Sequence, residues 1–76
     1  MEEIKNKLDE ISLLLKTKEN DAYKYFDNLS FMMDRDPAEA IKLILTSYSI
    51  IQYANLDYES ELLFDQIWNL ANNSKR

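Results

Sequence analysis

Residues 37–54 read PAEAIKLILTSYSIIQYA, and this stretch decides the fold. Wound on a helix at about 100° per residue, Ala40, Ile41, Leu43, Ile44, Leu45, Tyr48, Ile50, Ile51 and Ala54 take up more than half of the circumference. Lys42, Thr46, Ser49 and Tyr53 share one narrow polar strip. A helix apolar over so wide an arc needs cover from several sides. The other segments are amphipathic on one face, so they read as the covers and residues 37–54 as the core.

Working outward, the start of this helix is written locally. Asp36 stands where an N-cap belongs, Pro37 takes the first helical position, where its missing N–H costs nothing, and Glu39 is placed to reach back from the third. The acids Asp34, Asp36 and Glu39 are not a calcium loop, because its glycine and its regular oxygen-ligand spacing are missing. At the far end the helix is expected to stop near Ala54. Asn55 can adopt the left-handed conformation that usually calls for glycine, and Asp57 can cap a following helix over residues 58–72. On that helix Leu63, Ile67, Leu70 and Ala71 form the predicted buried arc, with Phe64 at its margin.

Upstream, Ile4, Leu8, Ile11 and Leu15 recur at spacings of 4, 3 and 4 and predict a one-faced helix over residues 2–16. Leu13 falls on its opposite side. The polar TKEND stretch that follows has two readings. As a break, it lets Asn20 or Asp21 cap a second helix over residues 20–33. As a continuation, it keeps the apolar phase through Ala22, Phe26, Leu29 and Met33, giving a long helical hairpin that pairs with another copy. The break is the reading adopted, and the expected fold is a single all-α domain, a small antiparallel four-helix bundle.

Composition narrows the function classes. The chain has 76 residues, close to the smallest size at which one core suffices, so a homodimer is a natural alternative. It contains no glycine, cysteine or histidine. That removes phosphate-cradling glycine loops, thiolate metal sites and the usual general base. Neither a catalytic residue, a cofactor nor a metal ligand is expected. With no disulfide chemistry, no signal segment and no apolar run long enough to span a bilayer, the expected location is the cytoplasm.

The formal net charge is −5 and it is unevenly placed. Residues 1–35 hold eight acids and six bases, whereas residues 36–74 hold six acids and one base, Lys42. Nucleic acid is repelled by such a surface, since phosphate binding depends on Lys and Arg. A basic protein partner is drawn to it. The fourth helix concentrates the signal: Asp57, Glu61 and Asp65 stand at i, i+4 and i+8, with Trp68 on the same side and Phe64 at the border. No lysine is placed to relieve these like charges, which oppose helix formation at that spacing. The expected partner-binding surface is therefore Asp57, Tyr58, Glu61, Phe64, Asp65 and Trp68.

With that order of helices in place, the chain resembles the enterocin A immunity family, small cytoplasmic proteins that protect the producers of class IIa bacteriocins. The resemblance rests on Ile4, Leu8 and Ile11-Ser12, on Asp36-Pro37 opening a third helix rich in Ile, Leu and Tyr, on Ala54-Asn55-Leu56, and on Glu61-Leu62-Leu63 with Ile67. Members of that family tend to be more basic and to continue further beyond the fourth helix. The resemblance implies a non-enzymatic immunity or inhibitor protein that blocks a larger protein. Two other functions fit the same residues: a homo-oligomeric helical scaffold element, and a phage-encoded acidic decoy that inhibits a nucleic-acid-handling defence protein.

Overall fold

The computed structural model describes residues 2–52 and 55–74, and of Ile50 the backbone only. Five helical segments follow one another: α1 (Glu2–Thr17), α2 (Tyr23–Arg35), α3 (Pro37–Leu45), α4 (Tyr48–Ile51) and α5 (Tyr58–Asn73). There is no strand among the described residues. Segments α3 and α4 together make the third member of a four-helix bundle. Around the bundle α1 lies on α2, α2 on α3, α3 on α5 and α5 on α1.

That ring corrects the expectation of a central helix. Each main helix has two neighbours and none is enclosed; on α3 only Ala40, Ile41 and Ile44 are buried, while Leu43 and Leu45 are half-buried. The middle of the core belongs instead to a contact across the ring, Phe26 on α2 against Phe64 on α5, edge-on with centroids 6.0 Å apart. Ile4, Leu8, Ile11 and Leu15 close the core from α1, in the phase their spacing predicted.

Residues 37–54 are also not one helix. The Thr46 hydroxyl donates to the carbonyls of Lys42 and Leu43, and the Ser47 hydroxyl to that of Leu43. Side chains that bond backwards in this way compete with the helical ladder. At the same place the main chain tightens, with the Thr46 amide on Leu43 and the Ser47 amide on Ile44. Tyr25 of α2 holds the break through a hydrogen bond to the buried Ser47 hydroxyl. The expected end near Ala54 lies outside the described residues.

The remaining boundaries rest on local chemistry. Helix α1 does break at the TKEND stretch, through a left-handed Glu19 (φ 57°). There the Glu19 amide bonds to Lys16 and the Asn20 amide to Leu15, the paired 5→2 and 6→1 bonds of a Schellman ending. Asn20 then accepts from the Ala22 amide at 2.9 Å, ahead of a helix that begins at Tyr23. Asp36 caps α3 by accepting from the Glu39 amide at 3.3 Å. The Asp36 amide is itself taken by the Met32 carbonyl, so it has no need of the Glu39 side chain. Asn55 is left-handed (φ 53°), and Asp57 caps α5 by accepting from the Ser60 amide at 2.9 Å.

Small polar residues join α1 to α2. Buried Ser12 donates to the Asp27 carboxylate, and buried Ser30 donates to Asp9 while accepting from Lys5 at 3.0 Å. Lys5 also lies 3.4 Å from Asp34. These two serines therefore have carboxylates beside them, which sequence reading had not placed there, and what those carboxylates do is tie one helix to the next.

Candidate functional site

Helix α5 sets the geometry of the surface, because its two flanks meet different neighbours. Ser60, Leu63, Phe64, Ile67 and Ala71 are its buried residues. The buried arc is thus turned toward Phe64 relative to the one expected from the wheel, and Leu70 is only half-buried. The cause is tertiary: Phe64 packs edge-on against Phe26 and, at 5.0 Å, against Tyr48. Phe64 is completely buried, which removes it from the expected partner-binding surface.

On the flank facing α3 and α4, the acidic and aromatic residues are engaged within the fold. The Trp68 indole donates to the Leu45 carbonyl at 3.2 Å and leans on the Tyr48 ring, 5.8 Å between centroids. It is half-buried at the bundle edge, neither sealed inside nor free. Asp65 accepts from the Tyr48 hydroxyl at 2.7 Å. Tyr48, which sequence reading had placed among the core residues of the central helix, joins three of α5's side chains here. Its phenol is pushed up to about 12, first by partial burial and then by the Asp65 carboxylate, which favours the protonated form.

At the N-terminus of α5, Asp57 has a cation that the helix itself does not supply. Lys18, just past the end of α1, hydrogen-bonds to Asp57 and lies 3.2 Å from Glu59. This pairing also fixes α1 and α5 as antiparallel, end against start. Lys18 and the Ser60 amide hold the Asp57 carboxyl down to about 2, and the two carboxylates raise the Lys18 ammonium above its ordinary value. The expectation of an unrelieved acidic stripe is corrected accordingly. The signal was available: in an up-and-down bundle the last turn of the first helix meets the first turn of the fourth.

Of the six residues expected to bind a partner, Tyr58 and Glu61 remain open. Tyr58 is 81% exposed, and Leu62, one turn on along the same face, is 47% exposed. On the flank facing α1, Leu62 borders an open groove of about 400 Å³ that also has Leu13, 66% exposed, along its wall. Leu14 and Leu63 lie deeper, and Glu10, Thr17, Glu59 and Gln66 complete the lining. Phe31 is exposed on α2 with the Arg35 guanidinium over its ring, and it does not line this groove. Tyr53 lies outside the described residues.

Among the described residues no group of acids could hold a metal ion, and no helix is long and apolar enough to cross a membrane. No protein-family model, no curated protein and no solved structure matches the chain. The class that the structure defines is a small all-α four-helix bundle with an open apolar and acidic strip along α5.

Proposed function

We propose that this chain is a non-enzymatic protein-binding module of the immunity or inhibitor type, which blocks a larger partner through the outward face of α5. The observation that carries the reading is the row of Tyr58 and Leu62, one turn apart and open, with Glu61 between them. Tyrosine is enriched among the residues that dominate such contacts, and acids steer a basic partner and set its orientation. The negative charge disfavours nucleic acid as the direct ligand. A cytoplasmic setting belongs to the same proposal, on the ground of the cysteine-free composition.

The test is retention of a partner from the cells that make the chain. Immobilised wild type is compared with Tyr58→Ala combined with Glu61→Lys, two exposed changes that leave the thermal midpoint within a few degrees. A discrete protein held by wild type and lost by the variant is the expected result. Equal retention by both, or none by either, contradicts the reading.

A further inference from the structure

The groove between α1 and α5 has a shape and a charge that select its occupant. Leu13 on one helix and Leu62 on the other stand exposed along its walls over a floor formed by Leu14 and Leu63. Each wall also carries a carboxylate, Glu10 on α1 and Glu59 on α5, and no basic residue lines the groove. Glu10 forms no ion pair among the described residues, whereas Glu59 is already paired with Lys18. Along α1 the lining runs from Glu10 to Thr17, about 10 Å or two helical turns.

From this arrangement we infer that the groove binds a basic amphipathic helix of a partner protein. Its leucine-type side chains at i, i+3 and i+4 enter between Leu13 and Leu62, and Lys or Arg beside that row faces the unpaired Glu10. Two antiparallel helices with a cleft between them accept a third helix by the same packing that builds the bundle. A second copy of this chain is a poor occupant. In a two-fold interface a patch meets itself, so the groove of one molecule, with no basic residue in its lining, would offer no cation to the unpaired Glu10 of the other. The inference rests on the protein-binding reading and adds to it where the apolar half of the contact lies and what chemistry enters it.

The test uses the full chain with synthetic peptides of about four helical turns: a Leu/Lys amphipathic helix, the same helix with Glu for Lys, and a scramble of the first. Binding is followed by amide chemical shifts in NMR. Only the amphipathic basic peptide is expected to bind, with shifts centred on Glu10, Leu13, Leu14, Leu62 and Gln66. Leu13→Lys with Leu62→Lys, both at exposed positions, is expected to weaken it by about tenfold or more while the thermal midpoint holds. Equal binding of the scramble, or no binding, overturns the inference. So does a dimer in light scattering that Leu13→Lys with Leu62→Lys dissolves, since a second copy would then fill the groove. Shifts centred instead on Tyr58, Glu61 and Trp68 also overturn it, but leave the broader reading of α5 standing.

Discussion

The indole N–H of Trp68 donates to the carbonyl of Leu45, the last residue of α3. A helix end leaves its final carbonyls without internal partners, and here an aromatic side chain from the neighbouring helix supplies one. Trp68 thus supports the break in the third helix as well as bordering the surface. Trp68→Phe keeps most of the packing and removes the donor, with an expected loss of about 1 kcal/mol in urea denaturation. Trp68→Ala also removes the contact with Tyr48 and is expected to cost about 2–3 kcal/mol, below the range for a fully buried tryptophan. Equal losses for the two variants would show that the packing contributes nothing beyond the hydrogen bond, and no loss for Trp68→Phe that the hydrogen bond contributes nothing.

Tyr25 and Ser47 are coupled across the α2–α3 contact. The Tyr25 hydroxyl donates to Ser47, whose own proton goes to the Leu43 carbonyl. Ser47→Ala and Tyr25→Phe are each expected to destabilise by about 1 kcal/mol. In a double-mutant cycle the pair is expected to be non-additive by about 0.5–1 kcal/mol. Additive losses would mean that the two hydroxyls act independently.

Glu19 occupies the left-handed position of the ending of α1 with a side chain poorly suited to it. A residue with a Cβ costs roughly 1–2 kcal/mol in that conformation, and glycine avoids most of the penalty. Glu19→Gly is expected to stabilise by about 0.5–1 kcal/mol in urea unfolding. Destabilisation would show that α1 does not end in this way.

Asp57 and Tyr48 give opposite limbs of a pH profile. The carboxyl of Asp57 falls from 3.8 when unfolded to about 2 when folded. Its contribution is therefore complete above pH 3.8 and is lost as pH falls through about 2. Carboxyl titration by NMR is expected to show this low midpoint, and Lys18→Met to move it up. An ordinary Asp57 midpoint in the wild type would contradict the pairing with Lys18. Tyr48 behaves in the reverse sense: its contribution is complete below pH 10 and is lost as pH rises through about 12. Phenolate absorbance is expected to show a late-titrating component that disappears in Tyr48→Phe.

What could be read in the sequence was whatever a few neighbouring residues decide. Asp36-Pro37 starts a helix, Asp57 caps one and Asn55 turns left-handed because each acts on its own backbone. The face formed by Ile4, Leu8, Ile11 and Leu15 was legible because one period runs through it. The misreadings involve partners far along the chain. The residues Thr-Ser-Tyr-Ser at 46–49 are weak helix formers, but the break there is held by Tyr25, 22 positions upstream of Ser47. Phe64 looked marginal on an isolated wheel and went inside because Phe26 and Tyr48 wait for it. Asp57 looked unrelieved until the fold brought up Lys18. The candidate surface therefore changed more than the fold did, since a surface is what remains after all such pairings are made.

The central claim is that the outward face of α5 meets another protein, and site-directed photo-crosslinking tests it most directly. A benzophenone amino acid replaces Tyr58 in the cells that make the chain, with the same probe at exposed Phe31 on α2 as the control. A discrete heavier adduct at position 58 and none at position 31 is the result expected here. No adduct at position 58, or the same adducts at both, would contradict the account.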